Sequence, residues 1–177
     1  MATEISTSTH RSSQELTEEP PAVSNIFLSE LLNLFTWNEP VGIYSSNNIP
    51  PQLKTEEKFT IICNLSRVEQ PGTHFVSIIK RGSCILYLDP LASYLDFNGD
   101  LSRFIESCEC SNIMRLEKPI QHINSWLCGY FCAFFSLLYS KNVNGVRLER
   151  FVEDDIKKND CICIRNIAQI IENKITI

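Results

Sequence analysis

The stretch QHINSWLCGYFC, residues 121–132, decides the fold because it joins a polar loop to a long apolar run. Residues 126–141 are apolar on nearly every face, which predicts a central helix that is buried all round. Cys128 falls where this helix should begin, with Ser125 or Asn124 as its N-cap. A helix N-terminus favours the thiolate form of a cysteine, which is the nucleophilic form. The sequence therefore predicts a reactive cysteine at the start of the central helix.

Shorter patterns on both sides of this run predict an α+β fold, in which helices pack on a mixed central β-sheet. Two of the strands should form a hairpin across Arg81-Gly82-Ser83. We expect strands at residues 41–44, 59–65, 74–80, 84–89 and 113–116, and helices at residues 24–36, 101–107, 148–156 and 164–171.

Composition and charge limit the class of protein. Residues 1–22 are rich in Ser, Thr and Glu and predict a disordered N-terminal tail, which leaves residues 23–177 as one domain. The net charge of −5 argues against a general nucleic-acid-binding surface. The first 25 residues lack the apolar run of a signal peptide, and residues 126–139 are too short to span a bilayer. We expect a soluble intracellular protein without a membrane partner, with its eight cysteines reduced.

Read along the chain, four residues supply the parts of a cysteine-nucleophile site. His74 can take the proton of the Cys128 thiol, Asp89 can orient the imidazole, and Gln121 can donate to an oxyanion. His122 is the competing base, because it lies six residues before Cys128 on the approach loop. His74 has the better-placed orienter, since the adjacent hairpin strand ends at Asp89.

Two neighbours of Cys128 have simpler expected roles. Gly129 should leave room for a substrate beside the thiol, because it has no side chain. Cys132 lies one helical turn further along within the apolar run, so we expect it to pack in the core.

These residues resemble the adenovirus protease (adenain) family of cysteine peptidases and, more distantly, the SUMO-specific proteases of the same clan. The matching motifs are GTHF at residues 72–75, LYLDP at residues 86–90, and Gln121 seven residues before Cys128. The resemblance covers about residues 24–139. It implies a papain-like arrangement in a permuted chain order, with the nucleophile at the N-terminus of the buried central helix.

The resemblance also implies a role for each residue of the site. Cys128 is then the nucleophile, His74 the base, Asp89 its orienter and Gln121 an oxyanion donor beside the Cys128 backbone N–H. The family commonly has Trp after the catalytic His, where this chain has Phe75, so the wall of the cleft should differ.

The implied activity is that of a cysteine endopeptidase which cleaves protein substrates near small residues, at Gly-Gly or Gly-X sequences. A compact chain favours a viral or virus-derived maturation protease, which acts on viral structural precursors. The alternative is a protease that removes SUMO or ubiquitin-like modifiers. The implied location is the cytoplasm or nucleus of a host cell, or the virion itself.

The adenovirus enzyme binds DNA and takes a peptide activator through a cysteine upstream of the Gln. Cys108 and Cys110 lie in the corresponding region, and a peptide activator stays open. The acidic charge disfavours DNA as a partner. We carry over no cofactor and expect a monomer.

Two rival interpretations remain. One is a catalytically inactive relative that binds a protein tail in the same groove. The other is a zinc module built from Cys108, Cys110, Cys161, Cys163 and His122. Both of its cysteine pairs have Cys-x-Cys spacing rather than the usual longer spacing, so we expect no metal site.

Overall fold

The computed structural model describes residues 23–93, 99–139 and 146–175. The predicted tail, residues 1–22, lies outside this part of the chain. Within it the predicted α+β class is confirmed by five strands and four α-helices. In chain order the elements are α1 (Asn25–Asn33), β1 (Val41–Ser45), a 3₁₀ turn (Pro51–Thr55), β2 (Lys58–Asn64), β3 (Phe75–Arg81), β4 (Cys84–Leu88), α2 (Asp100–Glu106), β5 (Asn112–Arg115), α3 (Cys128–Tyr139) and α4 (Ile156–Ile175).

The five strands form one mixed sheet, as the sequence predicts, and their order in the sheet is β1-β2-β3-β4-β5. The central pairs, β2 with β3 and β3 with β4, are antiparallel, whereas β1 and β5 run parallel to their neighbours. The predicted hairpin is present, and Gly82 in its turn has a φ of 55°, which glycine adopts without strain. The first residue of β3 and the last of β4 therefore lie at the same edge of the sheet.

The sheet separates two hydrophobic cores. Along β3, Phe75 and Ile79 face the core that contains α1, α3 and α4, while Val76 and Ile78 face the core that contains α2. Side chains of a strand alternate between its faces, so β3 can contribute to both cores at once. The strand β3 is consequently buried on both faces, and this packing holds the residues at its ends in place.

The central helix α3 packs directly on β3, and a pair of buried hydroxyl groups connects the two. Ser77 Oγ lies 3.2 Å from Ser136 Oγ, and Ser136 Oγ also donates to the Cys132 carbonyl oxygen at 2.8 Å. Both serine side chains are fully buried. Because a buried hydroxyl needs a partner, this pair favours one position of α3 along β3.

The prediction that Cys128 lies at the start of the central helix is confirmed, because α3 begins at Cys128, two residues after the start of the apolar run. Its first hydrogen bond runs from the Phe131 N–H to the Leu127 carbonyl oxygen at 3.1 Å. The predicted N-cap at Ser125 or Asn124 is therefore wrong, and Leu127 occupies the position before the helix. No helix in the described ranges is long and apolar enough to cross a membrane.

The helix predicted at residues 148–156 is also wrong, because residues 146–155 form no helix and α4 starts at Ile156. Two buried asparagines of α4 bind the backbone of this segment instead. Asn159 accepts from the Val152 N–H at 2.7 Å and donates to the Val152 carbonyl at 2.8 Å. Asn166 makes the same pair of bonds with Glu149, at 2.8 and 3.0 Å. These side chains satisfy backbone groups that a helix would otherwise have paired.

Candidate active site

Three elements bring the predicted site residues together. His74 directly precedes β3, Asp89 directly follows β4, and Cys128 is the first residue of α3. Because β3 and β4 are antiparallel neighbours, the His74 and Asp89 ends of the hairpin meet at one edge of the sheet. Packing of α3 against β3 then places the start of the helix at that same edge.

The His74 ring lies between the other two groups. Its Nε2 atom is 2.7 Å from Asp89 Oδ1, and the Cys128 side chain is close enough to raise the pKa of the ring. Because Asp89 engages Nε2, the nitrogen left for the thiol is Nδ1. The order Asp89, His74, Cys128 is the order of an orienting carboxylate, a base and a nucleophile.

The Asp89 carboxylate is held rigidly and is only 2% exposed. Its Oδ1 accepts from the Leu91 N–H at 2.8 Å, and its Oδ2 accepts from the Ser93 N–H at 3.2 Å. The turn that ends β4 therefore orients the carboxylate, which in turn orients the imidazole.

The pKa of His74 is raised from 6.5 to about 9. Burial is the largest single influence and by itself would lower the pKa, because it penalises the charged ring. Hydrogen bonds to Asp89 and Cys128 outweigh it, together with the charges of both groups. The site thus favours a protonated imidazole at neutral pH.

Gln121 is buried, and both its backbone and its side chain form hydrogen bonds. Its N–H donates to the Pro90 carbonyl oxygen at 3.1 Å, one residue beyond Asp89. Its Nε2 donates to the Ser125 carbonyl oxygen at 2.9 Å, which uses one of the two amide hydrogens. The second hydrogen is left for another acceptor. Among the described residues, the buried atoms Gln121 Oε1 and Ser125 Oγ have no hydrogen-bond partner.

Cys128 contributes a backbone donor as well as its thiol. The first N–H groups of a helix have no partner within the helix, and Cys128 is the first residue of α3. Its N–H can therefore donate to an anion that forms beside the sulfur.

Gly129 does not leave space for a substrate, contrary to the prediction. A Cβ atom there would lie 3.2 Å from Val23 Cβ and 3.3 Å from Leu28 Cδ1. The absence of a side chain instead lets α1 approach the start of α3. Cys132 is fully buried in the core, so the packing role predicted for it is confirmed.

The other candidate residues bind different groups. The ring atom His122 Nδ1 accepts from the Asn124 N–H, and the backbone N–H of His122 donates to Asp160 Oδ1, each at 3.4 Å. The residues of the zinc alternative are dispersed: Cys108 belongs to the core beside α2, and Cys163 to the core on the opposite face of the sheet. Across the described ranges, no cluster of His, Cys, Asp and Glu is arranged to hold a metal ion.

The sequence pattern failed to identify two exposed residues next to the site. Trp126, predicted inside the buried helix, precedes α3 and is 69% exposed, and Ile123 is 72% exposed. The Asn124-Ser125 pair directly before Trp126 is typical of a turn and is the signal that separates it from the helix.

Neither the family models nor the curated proteins contain a match to this sequence. The interpretation of the site therefore depends on its residues and their geometry.

Proposed function

We propose that this protein is a cysteine endopeptidase. The observation that supports the proposal is the His74 ring, which lies 2.7 Å from the Asp89 carboxylate and whose pKa is raised by both Asp89 and Cys128. A half-buried His between a carboxylate and a half-buried thiol at a helix N-terminus is the arrangement that activates a cysteine nucleophile.

In the proposed mechanism, the Cys128 thiolate attacks a peptide carbonyl carbon while His74 holds the proton. The carbonyl oxygen becomes an oxyanion, which accepts from Gln121 Nε2 and the Cys128 backbone N–H. Collapse of this intermediate breaks the C–N bond, and His74 gives its proton to the leaving amine. Water, deprotonated by His74, then cleaves the thioester and regenerates the thiol.

The buried amide of Gln121 supports its part in this scheme. A side chain that is 2% exposed and anchored through one amide hydrogen presents the other with little freedom. A donor that needs no reorganisation stabilises an oxyanion better than a mobile one.

The resemblance to the adenovirus protease supports the finer part of the proposal. It suggests a papain-like arrangement in permuted order, cleavage near Gly-Gly or Gly-X sequences, and a role in maturation of viral structural precursors. The burial of Asp89 and Gln121 is compatible with a narrow cleft that admits only small residues next to the thiol.

The first experiment is labelling with iodoacetamide at neutral pH, followed by mass spectrometry of the cysteine-containing peptides. We expect Cys128 to react faster than Cys161, which is exposed but lies outside the site. Burial raises the pKa of the thiols of Cys132 and Cys163, so these should react slowest. Equal reaction of Cys128 and Cys161 would favour an inactive, tail-binding relative over an enzyme.

The second experiment is cleavage of a peptide library in which each position around a Gly-Gly or Gly-X core is varied. Cleavage that depends on Cys128 would support an endopeptidase. Cleavage only of folded ubiquitin-like conjugates would favour the deconjugating alternative.

A further inference from the structure

We propose that Ile123 and Trp126 form an apolar rim which binds one large apolar or aromatic side chain of the substrate beside the scissile bond. This inference rests on the proposed function for the identity of the substrate as a polypeptide. It adds a determinant of specificity to a cleft that otherwise selects small residues.

The exposure of the two side chains is the first support. Both lie within the five residues before Cys128, and they are 72% and 69% exposed. Single exposed apolar side chains are ordinary on a protein surface. Two of them on one short loop beside a candidate site are typical of a surface that binds a ligand.

The shape of the loop is the second support. Residues Ile123, Asn124, Ser125 and Trp126 line a depression of about 310 Å³. Ser125 also belongs to the candidate site, because its carbonyl oxygen holds Gln121 Nε2. The depression therefore shares Ser125 with the group that anchors Gln121, the donor proposed for the oxyanion.

The loop is fixed before any substrate binds. The Ser125 N–H donates to the His122 carbonyl oxygen at 2.9 Å and closes a turn around Ile123. The His122 N–H in turn donates to Asp160 Oδ1 on α4 at 3.4 Å. A loop backbone held in this way loses little conformational freedom on binding, so the rim that it carries can contribute to selectivity.

The first test compares wild type, Trp126→Ala and Met114→Ala on a peptide library with one varied position at a time. Met114 is a matched control, because it is 52% exposed on β5 and lies outside the rim. In wild type and in the control, kcat/KM should favour Leu, Phe or Tyr over Ala at one position flanking the small residues. In Trp126→Ala that preference should fall by about 10–100-fold, whereas Met114→Ala should keep the preference and cleave the Ala peptide at the wild-type rate.

The second test measures binding without cleavage. In a Cys128→Ala, Trp37→Phe protein, Trp126 is the only tryptophan, since the chain has two. Peptides with a large apolar residue at the selected position should shift its fluorescence to the blue, and the matching Ala peptides should not.

The outcomes separate the two proposals. Unchanged selectivity in Trp126→Ala, with cleavage still dependent on Cys128, would overturn the rim and leave the endopeptidase standing. Selective binding to the Cys128→Ala protein without any cleavage by wild type would support the rim and overturn the enzyme. If no peptide shows a preference in either test, the rim is wrong.

Discussion

The candidate site and the segment at residues 146–155 use hydrogen bonds for opposite purposes. At the site, His74, Asp89 and Gln121 hold a thiol and an amide hydrogen ready for a substrate. In the segment, the side-chain amides of Asn159 and Asn166 form hydrogen bonds with backbone groups of the same chain. The comparison teaches that a buried polar side chain with a hydrogen-bonding group left unpaired is a candidate for binding a substrate. A buried polar side chain whose groups are bonded to the backbone of the same chain has a structural role. Substitutions in the two regions should accordingly separate activity from stability.

The largest effect on activity is expected from Cys128→Ala. Without the sulfur no thioester can form, so turnover should fall by at least about 10⁴-fold. The substitution removes one atom from a half-buried side chain, so the free energy of unfolding should change by less than about 1 kcal/mol. Peptide cleavage and urea unfolding measure the two quantities, with Cys161→Ala as the exposed control. Cleavage by Cys128→Ala at the wild-type rate would remove Cys128 from the mechanism.

Asp89→Asn should come second. It removes the charge that favours a protonated His74, so activity should fall by about 10²–10⁴-fold. The His74 pKa, about 9 in wild type, should move lower. NMR titration of the His74 ring proton checks this, and an unchanged titration would show that Asp89 does not act on the ring.

The sign of the linked stability change follows from the same pKa. The folded value of about 9 exceeds the ordinary 6.5, so protonated His74 stabilises the folded state fully below pH 6.5. This contribution is lost as the pH rises through about 9. Wild type should therefore lose more stability than Asp89→Asn between these two pH values, as urea unfolding at each pH would show.

Gln121→Ala should lower kcat by about 10²–10³-fold, the usual result of losing one oxyanion donor. Alkylation of Cys128 by iodoacetamide forms no oxyanion, so its rate should stay within a few-fold of wild type. Gln52→Ala, at an exposed position, is the control. An equal loss in turnover and alkylation would indicate a damaged site instead of a lost donor.

The smallest effect on activity is expected from Asn159→Ala and Asn166→Ala. Each substitution removes the side chain that bonds both the N–H and the C=O of one residue in the segment. The free energy of unfolding should therefore fall by about 1–3 kcal/mol. At a temperature where the variants remain folded, kcat should stay within a few-fold. Asn112→Ala, an exposed asparagine of β5, should leave stability nearly unchanged. A fall in kcat as large as that of Gln121→Ala would make the segment part of the site.

The hairpin and the central helix could be predicted because local signals agree there with the tertiary fold. The turn at Gly82 fixes the register of the hairpin, and this register brings the ends that carry His74 and Asp89 to one edge. The meeting of those ends with Cys128 was inferred from the order of residue types, and the geometry brings the side chains together.

The segment at residues 146–155 could not be predicted because its apolar spacing fits two conformations. Phe151 does pack in the core, with its ring centroid 5.5 Å from that of Phe131, but it does so from non-helical backbone. The deciding contacts come from Asn159 and Asn166, and single-sequence periodicity carries no information about them. The contact of Gly129 with Val23 and Leu28 is likewise tertiary.

The paired amides of Asn159 and Asn166 also bear on association between molecules. Non-helical backbone with open N–H and C=O groups is a template on which a second chain can add a strand. At Glu149 and Val152 both groups are already bonded within the molecule. The two asparagines thereby leave these positions without an open backbone group for intermolecular β-pairing.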